Sequence, residues 1–204
     1  MKNSYAPLLL SLALLLWGHP AGAEKADRDK PMNIEADAMR YDDLKQTSVF
    51  TGNVVVTKGT IVIRGARVEV RQDPEGYQYG VVTAEPGKLA FYRQKREGVD
   101  EYIEGESQVI EYDGKADRVK FIRQAQLRRF HGPTLSDEMV GSLIIYDSGN
   151  DVFTVDGGPS SPAGGGRVRA VLAPRPSASA PVSAASGASA AHLRPSMTLD
   201  RSRK

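Results

Sequence analysis

Two histidines lie downstream of residue 23, His131 in the segment His131-Gly132-Pro133 and His192 near the C-terminus, and the chain has no cysteine. So sparse a set leaves neither a histidine-based triad nor a histidine-rich metal site, and composition excludes disulfides and cysteine-ligated metals. Gly164-Gly165-Gly166 lacks the Lys-Ser/Thr pair and the helix of a phosphate-cradling loop. Adjacent carboxylates at Asp42-Asp43 and Asp100-Glu101 are of the type a glycosidase uses, and beside turn residues they read more simply as solvated loop charge. Arg93-Gln94-Lys95-Arg96 and Arg128-Arg129 suit either an anion or a solubilising strand edge. The inventory argues against an enzyme and implies no metal and no cofactor. Chemistry of another kind, the sheltering of apolar groups, has to be sought in the elements that carry the hydrophobic residues.

Those elements are strands. Apolar residues alternate with period two at Ile61 and Ile63, Val68 and Val70, Leu89 and Phe91, Ile110 and Tyr112, Val119 and Phe121, and Leu143 and Ile145. Turn signals separate them, among them Lys58-Gly59, Asp73-Pro74-Glu75-Gly76, Asp113-Gly114 and Ser148-Gly149-Asn150. No stretch carries a sustained helical stripe. The strands also repeat: in Tyr41-Asp42 and in Tyr112-Asp113, a phenylalanine (Phe50, Phe121) follows nine residues after the tyrosine. A shorter copy runs from Tyr146-Asp147 to Phe153, and a diverged one begins at Gly65, giving about four copies of a strand-pair unit. Such units bury an apolar face only by stacking, so the expected class is all-β, with two sheets enclosing an apolar interior that is either a filled core or an open groove. The parity of the apolar positions changes at Gly65-Ala66, which marks a corner between the sheets.

The two ends differ from this body. Lys2, a leucine-rich run from Leu8 to Leu16, and Ala21-Gly22-Ala23 form the three-part pattern of a secretory signal peptide (residues 1–23) cleaved after Ala23. Beyond residue 174, 18 of 30 residues are Ala, Ser, Pro or Gly, and residues 175–204 read as a disordered tail of net charge +4. Residues 24–174 then carry 21 Lys and Arg against 24 Asp and Glu, a mildly acidic body with no charge signature of nucleic-acid binding.

Met32-Asn33-Ile34-Glu35-Ala36-Asp37, then Phe50-Thr51-Gly52-Asn53-Val54 with the Gly59-Thr60-Ile61 turn, then Phe91-Tyr92, Ile103-Glu104-Gly105, and Arg167-Val168 leading to Val171-Leu172-Ala173-Pro174, resemble in order and spacing the OstA-like family of periplasmic lipopolysaccharide-transport proteins, the LptA family. The resemblance covers residues 31–174 and departs from the pattern at Ile122-Arg123-Gln124, where the first copy has Thr51-Gly52-Asn53. It implies an open β-jelly roll of stacked antiparallel strands. The groove of that fold would hold lipopolysaccharide acyl chains on their way from inner to outer membrane. It further implies head-to-tail self-association into a bridge, same-fold partners in inner-membrane LptC and outer-membrane LptD, and an inner-membrane ATPase complex as the source of energy. By inward parity the candidate lipid-contacting residues are Met32, Ile34, Phe50, Val54, Ile61, Ile63, Leu89, Phe91, Ile110, Tyr112, Phe121, Leu143 and Ile145; Met32, Ile34, Phe91 and Tyr112 match ligand-facing places of the family motif. The competing readings are an exported enzyme or carbohydrate-binding module on a β-sandwich, and a structural adhesin.

Overall fold

The computed structural model describes residues 27, 29–96 and 98–174. The signal-peptide and tail readings lie outside these residues. Twelve strands and no helix make up the described chain: β1 (Met32–Glu35), β2 (Ala38–Asp42), β3 (Thr47–Lys58), β4 (Ile61–Gln72), β5 (Gln78–Thr83), β6 (Ala90–Lys95), β7 (Glu101–Ser107), β8 (Val109–Asp113), β9 (Arg118–His131), β10 (Thr134–Asp147), β11 (Val152–Asp156) and β12 (Arg169–Leu172). All pair antiparallel in one continuous sheet.

The four long strands each change partners halfway, and this folds the sheet into two arms. Residues 67–72 of β4 pair with β5, whereas residues 62–64 pair with β6. In the same way β3 pairs with β2 and then β1, β9 with β8 and then β7, and β10 with β12 and then β11. One arm therefore runs β2-β3-β4-β5-β8-β9-β10-β11, and the other β1-β3-β4-β6-β7-β9-β10-β12. The four sequence copies are the four hairpins of the first arm, β2–β3, β4–β5, β8–β9 and β10–β11.

Corners between the arms have local causes. A Cβ on Gly65 would sit 2.5 Å from Val82 Cγ1 and 3.1 Å from the Thr83 carbonyl oxygen, so the parity break falls where only glycine lets the strand pass. In β3 the register shifts between Thr51 and Val54, with Gly52 and Asn53 at φ +80° and +46°. The second copy makes the same bulge without glycine: Arg123 and Gln124 adopt φ +61° and +52°. Two ties hold them there, from Gln108 N to Arg123 O at 3.0 Å and from Arg123 Nε to Gln108 Oε1 at 3.0 Å. Asp37 does the same for the first copy, through Gly52 O at 3.0 Å and Asn53 Nδ2 at 2.9 Å.

Between the arms the middle of the sandwich is filled. Val54, Ile63, Ile110 and Phe121 are buried there, as their parity predicts, together with Val56, Val68, Val82, Tyr92, Ile103, Val119, Leu127 and Ile144. Tyr92 meets Phe121 edge-on at 5.6 Å, and Phe121 lies over Gly105, where a Cβ would come within 2.2 Å of its ring. Four expected inward positions are corrected. Leu89 precedes β6 and is exposed, with Ala90 and Tyr92 taking the inward places because Tyr92 pairs with inward Ile63. Phe91 is on the outer face under the Arg64 guanidinium, 5.4 Å from its ring centre. In β10 the register shift between Gly141 and Leu143 reverses the phase, so Ile144 and Tyr146 are buried and Leu143 and Ile145 are only half-buried on the opposite face.

Candidate functional site

Strand ends of the two arms meet around a cavity of about 710 Å³. Its apolar wall is Ile61 of β4, Tyr92 of β6, Tyr112 of β8, Val119 of β9 and Tyr146 of β10, so five strands from both arms contribute. Alternation delivers these side chains: Tyr92, Tyr112 and Tyr146 are at or near the last inward position before a hairpin turn, and Ile61 and Val119 are the first after one. The rim is polar, with Asp27, Thr60, Gln94, Lys95, Arg96, Asp117 and Asp151. Burial holds the Tyr92 hydroxyl well above its ordinary titration range. Tyr146 is pushed up by burial first and then by the Asp151 carboxylate. Both phenols stay neutral near pH 7, and they offer hydrogen-bond donors at the edge of an apolar surface rather than nucleophiles.

A second, smaller cavity of about 190 Å³ opens at the β1–β2 end, lined by Met32, Ile34, Tyr41, Phe50, Val70 and Gln78 among others. Lys58 stands opposite Met32 of this cavity and opposite Ile61 of the larger one, and its buried Nζ donates to Gln78 Oε1 of the other arm at 3.1 Å. A further tie crosses the mouth of the larger cavity: Arg96, in the β6–β7 turn, reaches Asp151, in the β10–β11 turn, at 3.1 Å and also pairs with Glu101. Desolvation alone would lower the Arg96 pKa, and the two carboxylates more than offset it. Asp27 accepts from Thr60 N at 2.7 Å and from Thr60 Oγ1 at 2.6 Å, which fixes the β3–β4 turn at the rim.

Of the expected site residues, Met32, Ile34 and Phe50 line the small cavity and Ile61 and Tyr112 the large one. Val54, Ile63, Ile110 and Phe121 are core between the arms, and Leu89, Phe91, Leu143 and Ile145 line neither cavity. Tyr92, Val119 and Tyr146 are additions. Val119 carried the right parity, Tyr146 opened the shorter copy of the repeat, and Tyr92 stood one position from Phe91. The carboxylate pairs belong to turns: Asp42 accepts from Lys45 N, Asp43 from the Tyr41 hydroxyl, and Glu101 pairs with Arg96. Among the described residues no three His, Asp or Glu side chains converge to hold a metal.

Residues 33–152 match the family model described as LptA/(LptD N-terminal domain) LPS transport protein. The chain is 33% identical over 142 residues to the lipopolysaccharide export system protein LptH of Pseudomonas aeruginosa, covering 70% of this chain and 77% of the relative. It is 34% identical over 140 residues to the lipopolysaccharide export system protein LptA of Escherichia coli K12, covering 68% and 71%. The crystal structure of LptH, the LptA-homologous periplasmic component of the lipopolysaccharide transport device of Pseudomonas aeruginosa, superposes with a TM-score of 0.63 at 26% identity. It covers 73% of this chain and 99% of that one.

Proposed function

Because the chain belongs to the LptA/LptD N-terminal-domain family of lipopolysaccharide transport proteins, we propose that it carries lipopolysaccharide across the periplasm with the acyl chains between its two arms. The observation that carries this reading is the wall of Ile61, Tyr92, Tyr112, Val119 and Tyr146, apolar surface that both arms contribute to one cavity under a polar rim. Each methylene exposed to water costs about 0.8 kcal/mol, so a lipid with several long chains needs continuous apolar cover in an aqueous compartment. Met32, Ile34 and Phe50 extend that cover to the β1–β2 end. Because Val54, Ile63, Ile110 and Phe121 fill the space between the arms, full acyl chains enter by spreading them. The sugar and phosphate portion stays at the rim.

Export by a cleaved signal peptide places the chain in the periplasm, and β1–β2 and β11–β12 are suited to joining it head to tail with copies of itself, with LptC and with LptD. Carriage without catalysis fits the neutral tyrosines and the turn roles of the carboxylates. A carbohydrate-binding module would present bare aromatic faces, whereas outer-face Phe91 and Tyr102 are covered by Arg64 and Arg93, the latter 4.3 Å from its ring centre. The test is to incubate the purified protein with lipopolysaccharide and with soluble glycans, and then re-isolate it. Retention of lipopolysaccharide and of no glycan is expected; glycan retention without lipopolysaccharide would overturn the reading.

A further inference from the structure

Three hairpins of the first arm place the same polar pair at the mouth. Tyr41, Tyr112 and Tyr146 are each the penultimate residue of a strand, and five residues after each comes the last residue of the turn, Gln46, Asp117 and Asp151. These three turn residues share one backbone conformation, with φ +49°, +49° and +54°. The Tyr41 hydroxyl donates to Gln46 Oε1 at 3.2 Å, and the Tyr146 hydroxyl donates to Asp151 Oδ1 at 3.3 Å. Tyr41 and Gln46 line the smaller cavity, and the other two pairs line the larger one. Tyr112 and Tyr146 stand two strands apart across β9, about 9.5 Å, and Tyr41 stands four strands, about 19 Å, from Tyr112. Halfway between those two, β5 opens with Gln78, whose Oε1 accepts from Lys58. The apolar interior therefore meets the mouth at polar stations about two strands apart.

We propose that the tyrosine stations bind the sugar hydroxyls of the carried lipid's head group and leave its phosphates turned to solvent. This rests on the carriage reading above and adds which part of the head group is recognised. A phenol that donates to a neighbouring carboxylate or carboxamide keeps its own lone pairs, and its acceptor keeps others, so each station chiefly accepts hydrogen bonds. Sugar hydroxyls supply the donors that such a site needs. An ionised phosphate supplies none.

Charge at the larger cavity points the same way. Its lining carries the carboxylates of Asp27, Asp100, Asp117 and Asp151 against the cations of Lys95 and Arg96. Arg96 is committed to Glu101 and Asp151, and Lys95 lies 3.9 Å from Asp100. A phosphate brought to this rim meets net negative charge, whereas a neutral sugar does not. Because equivalent acceptors recur from hairpin to hairpin, a head group that leaves one station finds the same partners at the next. A few hydrogen bonds give little net affinity by themselves, so the stations hold a sugar only when acyl chains in the cavity bring it there, and a free glycan is not retained.

Two diacylglycerols with identical chains, one bearing glucose and the other phosphate, separate the two head-group chemistries. The full chain should bind the glucosyl lipid about five- to tenfold more tightly than the phosphatidic acid. Tyr41→Phe, Tyr112→Phe and Tyr146→Phe together keep the apolar wall, and should weaken glucosyl-lipid binding about five- to tenfold while leaving phosphatidic acid binding within about twofold. Asp117→Asn should strengthen phosphatidic acid binding alone. Circular dichroism checks that each variant is folded, and the comparison of the two lipids on the wild-type chain stands without any variant. Equal binding of the two lipids, a preference for phosphate, or a folded triple variant that keeps the preference or loses both lipids alike would overturn the inference and leave carriage in place. A wild-type chain that retains neither these lipids nor lipopolysaccharide would overturn the carriage reading itself.

Discussion

Arg96 and Asp151, 55 residues apart in sequence, meet at 3.1 Å and hold the two arms together across the mouth of the larger cavity. Tyr146 adds its hydroxyl to the same carboxylate at 3.3 Å. The arms are covalently continuous only at the corners, so the mouth is where they separate most easily, and this pair opposes separation there as Lys58 with Gln78 does beside the smaller cavity. Arg96→Met should lower the melting temperature by about 2–4 °C, the equivalent of about 1 kcal/mol for a partly exposed pair. It should also speed lipopolysaccharide uptake. Thermal melts and the time course of lipid capture measure both, and slower uptake by a destabilised variant would show that the pair does not gate entry.

Gly105 offers a test of the packing beneath the cavity. A methyl group there would come within 2.2 Å of the Phe121 ring, whereas one on Gly80 would meet Tyr112 Cβ at an ordinary 3.8 Å. Gly105→Ala is therefore expected to cost about 1–3 kcal/mol by forcing the ring from its place. Gly80→Ala should be close to neutral. Urea unfolding of the two variants in parallel decides this, and equal stability would contradict the fit of Phe121 over the glycine.

Acid should loosen the turns of the first arm. At Asp147 partial desolvation pushes the carboxyl up, but hydrogen bonds from the Asn150 side chain and amide and from Arg118 outweigh it, leaving the pKa below the ordinary value. Asp73 behaves alike, with desolvation outweighed by the Tyr77 amide, the Tyr79 hydroxyl and the Glu75 amide. A carboxyl whose pKa is lower in the folded chain contributes stability above its unfolded value, about 3.9, and loses it as pH falls through the folded one. Stability should hold steady above about pH 5 and decline below pH 4. Asp147→Asn should flatten part of that decline, and an unchanged slope in pH-dependent melts would remove Asp147 from it.

Much of this architecture was legible in the residues. The tyrosine-to-phenylalanine spacing marked the β2–β3 and β8–β9 hairpins and, in its shorter form, β10–β11, each with an aromatic on both strands; β4–β5 has Val68 and Val82 instead, and only the break at Gly65 marked it. Gly65 marked its corner through the change of parity. The matching corner in β9 was hidden, since Arg123 and Gln124 are held at positive φ by Gln108, a partner that sequence alone does not reveal. Phe91 and Tyr92 could not be told apart in a six-residue strand whose phase is set by its pairing with Ile63. Leu143 and Ile145 were misplaced for a related reason, because a bulge at Gly141 moved the phase of β10. Arg96 stood out only as part of a basic run, and nothing paired it with Asp151: each sits in a turn, and only the folding of the sheet brings the turns together.

The most direct measurement of lipid carriage between the arms is site-specific photo-crosslinking to lipopolysaccharide. A photoreactive phenylalanine analogue at Tyr112, on the cavity wall, should form an adduct with lipopolysaccharide that a mass shift and anti-lipid detection both register. The same analogue at Ile145, on the opposite face of the same arm, should not. Adducts at 145 equal to or stronger than those at 112 would contradict an interior path for the acyl chains.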